Sequence, residues 1–173
     1  MKREQIISAA LQLFAKNGID GTSTRSIAEN AAVSEGLIFR HFKSKAGLIE
    51  AILALGTVKI HPIIDPIQRE QTPKQRLKRC ILALANVPRE DYPYWRVVFL
   101  LNLRSDPDHE KLTQELKLRI QRELKALGYA RAEIEAQLLT CSLEGLFFKA
   151  LFDPEFSLLP YLNLIVKKYQ LTP

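Results

Sequence analysis

Cysteine, histidine and glycine are all scarce in this chain, and each scarcity removes a class of function. The two cysteines, Cys80 and Cys141, lie far apart, with no C-x-x-C and no histidine-rich stretch on which to build a zinc site. Reduced, buried thiols are the expectation. The three histidines, His41, His61 and His109, share no spacing with a nucleophile or a metal ligand. The seven glycines form no phosphate-cradling loop, so neither an enzyme nor a bound cofactor or metal is expected. No apolar run approaches membrane-spanning length, and the opening residues Lys2 to Gln5 lead into an amphipathic pattern instead of a continuous apolar core. A cytoplasmic protein with no membrane partner follows as the expectation. Useful β-alternation and internal repeats are also missing.

What remains is helical periodicity over a hydrophobic content of 47% in 173 residues, enough for a compact helical subunit or a small reading head on a larger core. A formal charge of +6 favours a polyanionic partner, although basic balance alone also serves solubility.

The stretch from Thr22 to Lys45 organises the rest. Thr22, Ser23 and Thr24 offer short side-chain oxygens to the orphan amides of a helix start. Ile27, Ala28 and Ala31 then share one face. Ala31 to Ser34 reads as a turn, with Val33 to plug the gap between two crossing helices and Ser34 to cap the second. In that second helix Ile38 and Phe42 at i,i+4 face inward, leaving Glu35, Gly36, Leu37, Arg40 and His41 to face elsewhere. A major groove admits such a helix and presents base edges to its first residues. Gly36 and Leu37 would touch bases without hydrogen bonding. Phosphate would be met by the Ser23 and Thr24 helix start and by Arg25, Arg40, Lys43 and Lys45; no acidic residue occurs from Ile38 through Gly47. Glu35 has two readings, acceptance from a cytosine amino group or a favourable place at a helix N-terminus. His41 likewise suits either a phosphate or packing against the first helix.

This stretch resembles the DNA-binding domain of the TetR family of bacterial transcriptional regulators, whose motif runs roughly T-x-R-x-I-A, a turn ending G-V-S, then G-x-x-Y-x-H-F-x-x-K. Thr24, Arg25, Ile27, Ala28, Val33, Ser34, Gly36, His41, Phe42 and Lys45 stand in register with it. Three departures matter. Ala32 stands where the family usually has Gly, and a positive φ there would cost on the order of 1 kcal/mol. Phe39 replaces a usual Tyr whose hydroxyl commonly reaches a phosphate, so only the packing of the ring is expected. Ala46-Gly47 lacks the carboxylate that many relatives use to complete a capping box with Ser44.

Ahead of the motif, Ile6, Ala10, Leu13 and Phe14 make the buried stripe of a first helix that Asn17-Gly18 ends, with Lys2 and Arg3 at its start placed to approach phosphate. After it, a helix from Ser44 runs toward His61-Pro62 and Asp65-Pro66, where two prolines are expected to interrupt it. The expectation is an all-α chain with a three-helix DNA-binding domain at 1–47 and a helical ligand-binding and dimerisation domain at 48–173.

Within the second part, Lys74 to Val87, Tyr92 to Leu103 and Pro107 to Leu127 are helical in period, the last like a surface helix. Tyr92, Trp95, Phe99 and Asn102 form an aromatic stripe that suits either plain core or one wall of a ligand cavity. Cys80, Leu84, Phe147 and Phe148 are the candidates for the other wall. The family's habit of binding small molecules among these helices supports the cavity reading.

The segment Arg131 to Phe152 carries two apolar stripes, one with Ile134, Leu138, Cys141 and Gly145 and one with Leu139, Leu143, Leu146 and Ala150, so it must be covered on two sides. Residues 158 to 171 add Leu158, Leu162, Ile165 and Tyr169. Ser142 and Gly145 permit close approach of another helix. These last two helices are the expected dimer interface, a four-helix bundle about a two-fold axis, with a run around Ser142 to Leu146 similar to the family's dimerisation helix. Two recognition helices would then sit roughly 34 Å or somewhat more apart, matching a palindromic operator. The resemblance implies a homodimeric transcriptional regulator, a repressor that leaves its operator when a small, largely apolar effector binds. The competing expectation is a DNA-binding dimer with no such ligand, its core serving protein contacts.

Overall fold

The computed structural model describes residues 2–102 and 110–171, and among these every regular element is helical. The helices are α1 (Lys2–Asn17), α2 (Thr24–Asn30), α3 (Glu35–Phe42), α4 (Lys45–Leu53), α5 (Leu55–Gln68), α6 (Pro73–Leu82), α7 (Tyr92–Asn102), α8 (Glu110–Ala126), α9 (Ala132–Phe152) and α10 (Leu159–Lys168), with short 3₁₀ turns at Ala83–Asn86 and Arg89–Asp91. The chain divides into two compact units. The first comprises Met1–Lys59 and Glu90–Arg104, the second Ile60–Arg89 and Ser105–Pro173.

In the first unit Ile6, Ala10 and Phe14 are fully buried on α1, as are Ile27, Ile38, Leu48 and Ile52 on the helices that follow, and α1 packs on α2, α2 on α3 and α3 on α4. Gly18 at φ +74° ends α1 in the left-handed conformation that a glycine adopts without steric cost. The head is not the whole unit, because α7 packs against α1. Tyr94, Trp95, Val97 and Val98 of α7 are buried, Tyr94 and Trp95 meeting edge to face with ring centroids 5.0 Å apart. Lys59 forms an ion pair with Asp91 and lies 5.5 Å from the Tyr94 ring centre. Burial, then the neighbouring Asp91, pushes the Tyr94 phenol up to about 12.

Two prolines do not interrupt the helix in which they stand. The break falls at Ala54, and α5 runs through both Pro62 and Pro66. Each ring removes a donor to the carbonyl four residues earlier, at Val58 and Pro62. Those positions recur at i+4 on one stripe, where Val58 is 72% exposed and Pro62 is exposed, so the freed carbonyls lie toward solvent. Ile63, Ile64 and Ile67 are buried.

In the second unit α6 packs on α8 and α10, and α8 on α9. Thr72 and Gln75 make a reciprocal cap at the start of α6, with Pro73 in the first turn. The core comprises Leu77, Cys80 and Ile81 of α6, Ile120 and Leu124 of α8, Leu139, Leu143, Phe147 and Leu151 of α9, and Leu162 and Val166 of α10. The expected surface helix α8 brings a charge inside: Glu123 is 1% exposed and is held by Arg76 at 2.9 Å and Arg122 at 2.8 Å. Among the described residues, no helix is long and apolar enough to cross a membrane.

Candidate nucleic-acid interface

Helices α2 and α3 meet through the short turn that the sequence suggests. Ser23 caps α2 by accepting from the Ser26 amide at 3.0 Å, while the Ser26 hydroxyl accepts from the Ser23 amide at 3.1 Å. Thr22 turns back instead, donating to the Gly18 carbonyl at 2.8 Å and tying the loop to the end of α1. Ala32 adopts φ +50°, the strained conformation anticipated where relatives carry glycine. Ser34 occupies the N-cap position of α3 with extended backbone but makes no side-chain capping bond, unlike Ser23 and Ser44 at the neighbouring helix starts.

The two helices are joined by a bond that sequence reasoning missed. The Thr24 hydroxyl donates to Glu35 Oε1 at 2.6 Å, across eleven residues. Thus the first residue of α2 holds the first residue of α3, and the Glu35 carboxylate is engaged within the protein. Charge-assisted bonds of this kind are among the stronger hydrogen bonds, and this one sets how α3 leaves its partner.

On α3, Ile38 and Phe42 are buried at 0% and 5%, which turns the opposite side outward. Gly36, Arg40, His41 and Lys43 are exposed, Phe39 is 46% exposed and Leu37 is half-buried. Around this face lie Arg25, paired with Glu29 at 3.2 Å but 80% exposed, and half-buried Lys45 in the first turn of α4. Arg3 has a second occupation, its guanidinium lying 5.4 Å from the Phe42 ring centre, where it covers the end of α3.

The join between α3 and α4 is tight. Lys43 reverses the chain at φ +66°, and Ser44 then caps α4 by accepting from the Gly47 amide at 3.0 Å. A Cβ at residue 47 would overlap the Phe42 carbonyl oxygen, so only hydrogen fits there. The missing carboxylate at this point is the price of that closeness. The outcome is a firmly capped start for α4.

The remaining candidates divide between the units. Trp95 is buried and Tyr92 and Phe99 are half-buried in the first; the Asn102 side chain lies outside the described residues, as do residues 103–109 with His109. Cys80 and Phe147 are buried and Leu84 half-buried in the second. Phe148 is 42% exposed and stacks toward Phe152 with centroids 4.7 Å apart, on the outer side of α9. Burial, with Glu123 adding to it, pushes the Cys80 thiol up to about 12. Cys141 is exposed, contrary to the expectation of two buried thiols, because it falls on the outer stripe of α9.

That stripe includes Ile134 at 55% and Leu138 at 59% exposure, with Ser142 and Gly145 also exposed. On α10 Leu158 and Leu162, expected at the interface, are instead buried within the protomer, where they close the core of the second unit. Ile165 and Tyr169 are half-buried, and Tyr161 and Leu164 point outward instead. The Tyr169 hydroxyl donates to Glu135 Oε2 at 2.9 Å; burial and that carboxylate together push its phenol well above the ordinary range.

Residues 6–52 match the family described as bacterial regulatory proteins, tetR family. The uncharacterized HTH-type transcriptional regulator YvkB of Bacillus subtilis (strain 168) is 53% identical over 51 residues, 30% of this chain and 27% of that protein, so the match spans about a quarter of its length. The HTH-type transcriptional repressor AcnR of Corynebacterium diphtheriae is 26% identical over 152 residues, covering 83% of this chain and 76% of its own. Among solved structures, a TetR family transcriptional regulator, PfmR from Thermus thermophilus, superposes with a TM-score of 0.72 at 22% identity, covering 95% of each chain.

Proposed function

With residues 6–52 placing the chain in the TetR family of bacterial transcriptional regulators, a class of non-enzymatic proteins, we propose that it acts as a homodimeric repressor in the cytoplasm that binds a palindromic operator. The observation that carries this reading is the outer side of α3. It presents Gly36, Leu37, Phe39 and Arg40 over a rim of Arg25, His41, Lys43 and Lys45, while Ile38 and Phe42 anchor it from behind. In this reading residues 1–47 read the DNA and residues 48–173 hold the partner and an effector. With Glu35 Oε1 held by Thr24, base reading is shared by the apolar surfaces of Leu37 and Phe39, the donors of Arg40 and the remaining acceptor sites of Glu35. Ser23, Thr24 and Ser34 sit at the two helix starts, where backbone amides meet phosphate.

The outer stripe of α9 and Tyr161 and Leu164 of α10 support a two-fold interface between copies, since so much apolar surface on neighbouring turns marks a contact. The interface therefore takes Leu138, Cys141, Ser142 and Gly145, with Ile165 and Tyr169 at its edge. The effector reading, a small and largely apolar molecule whose binding shifts the population away from the operator-bound form, rests on the family, with Tyr92, Trp95 and Phe99 of α7 as its candidate residues. A coupling of about 1–3 kcal/mol gives a large change in occupancy.

The test is selection of duplexes from a random DNA pool by the purified protein, then titration of the selected sequence against scrambled DNA at two salt concentrations. A two-fold palindrome bound with strong preference and a steep salt slope is expected. Absence of any enriched sequence from folded, dimeric protein would sink the operator reading.

A further inference from the structure

In the second unit an open cleft of about 640 Å³ lies among the end of α5, α6 and α8, and three of its six lining side chains are arginines: Arg76, Arg119 and Arg122. The others are Gln68, Glu115 and Leu118. It shares no residue with the aromatic candidates of α7 or the DNA face. Two carboxylates answer these three cations. Buried Glu123 takes both Arg76 Nε at 2.9 Å and Arg122 Nη2 at 2.8 Å, which leaves one positive charge in excess.

Arg119 is the cation whose counter-ion is most exposed. Its side chain is only 15% exposed, yet its carboxylate partner Glu115, at 2.6 Å, is 49% exposed and stands four residues away on the same helix. Glu115 accepts from Arg119 through Nη2 at 2.6 Å and Nε at 3.2 Å, but it stands half in solvent, so an incoming anion can take its place on a largely desolvated guanidinium. Assigned with its amide oxygen toward Arg119, the orientation that satisfies both groups, Gln68 accepts from that guanidinium at 3.2 and 3.3 Å. Arg76 is a fixed wall, its guanidinium also donating to the Glu70 and Gln71 carbonyls at 3.1 Å. Arg122, held on Glu123 through Nε at 2.9 Å and Nη2 at 2.8 Å, is 63% exposed and keeps its remaining N–H donors for a ligand, and Leu118, 54% exposed at the rim, offers an apolar surface.

We propose that this cleft is a binding site for an organic anion, its phosphate or carboxylate oxygens taken by Arg119 and Arg122 and its carbon portion laid against Leu118. The oxygens replace Glu115 on Arg119 with the same charge-assisted geometry, and the site volume falls within the range of small-molecule sites. The site stands independently of operator binding.

The test uses the full chain at constant ionic strength, titrated separately with inorganic pyrophosphate and with octanoate, and read by calorimetry and by thermal shift. Saturable binding of one or both is expected, and which anion binds tells a phosphate source from a carboxylate one. Arg119→Gln and Leu118→Glu should each weaken binding about tenfold, the first by removing donors and the second by adding a like charge at the rim. Leu118→Glu touches no existing bond, so it serves where Arg119→Gln fails to fold. Lys125→Gln, an exposed change of equal charge on α8, should leave binding as it is. No saturable binding of either anion, or equal binding by wild type, Leu118→Glu and Lys125→Gln, would overturn the site.

Discussion

Helices α1 to α4 and helices α9 to α10 use apolar residues in opposite ways. In the first group the large apolar side chains go inward, and Phe39 alone among them is strongly exposed, on the side that faces away from Ile38 and Phe42. In the second group one set closes the core, Leu139, Leu143, Phe147, Leu151, Leu162 and Val166, while another, Ile134, Leu138, Phe148, Phe152, Tyr161 and Leu164, lies open. The surface each group leaves uncovered is what the proposed partners rest on. A polar, basic surface around a single ring suits a charged duplex, and an apolar stripe suits a second copy of itself.

The contrast between inner and outer stripes of the second unit is sharpest in its two thiols. Cys141 should alkylate readily at pH 8 in a monomeric variant, and Cys80 at least about a thousandfold more slowly, since burial holds its thiolate population that far down. Comparable labelling of both in folded protein would break the distinction. The same proton gives a pH dependence. The folded thiol ionises near 12 where the unfolded one ionises near 9, so the native state binds the proton more tightly. Its contribution to stability is full below pH 9 and is lost as pH climbs toward 12.

Next in size is the outer stripe itself. At the proposed two-fold contact Leu138→Glu places two like charges and should weaken dimerisation by about 3 kcal/mol, more than a hundredfold, by sedimentation analysis. A dimer of unchanged affinity would remove α9 from the interface. In the head, Gly47→Ala should lower thermal stability by about 2 kcal/mol, because a methyl cannot share the space of the Phe42 oxygen, while dimer affinity stays unchanged. Retention of full stability would mean that the α3–α4 join gives way easily.

Smaller effects separate positioning from reading. Lys45→Ala should weaken all duplexes by about 1 kcal/mol and reduce the salt slope by about one, whereas Leu37→Ala should mainly change the preferred sequence. Equal losses on operator and scrambled DNA for both variants would contradict these roles. Smallest of all, Ala32→Gly should stabilise the head by about 0.5 kcal/mol, since glycine removes the strain of φ +50° but loses more entropy on folding. A loss of stability on chemical denaturation would show that the methyl packs usefully.

These differences also govern what could be read in advance. The helix-turn-helix was legible because its determinants lie within a few residues of one another: the Ser23 cap, the Ala32 turn, and Ile38 with Phe42. On α9 the periodicity displayed both stripes, but which one the protomer keeps depends on α8, a partner far along the chain. For the same reason Leu158 and Leu162 read as interface and turned out to be core. Pro62 and Pro66 read as breaks, since their common stripe with exposed Val58 is a property of the folded helix alone. Thr24 with Glu35, and Arg76 with Glu123, join residues whose proximity no local pattern signals.

The closeness of Gly47 to Phe42 also decides how this head could be transplanted. A chimera cut between α3 and α4, with the following residues taken from a relative that bears a side chain at this position, would bring two backbones together that were shaped for different separations. Phe42 through Gly47 therefore has to move as one block, and the workable seams for recombining heads and cores lie downstream of it.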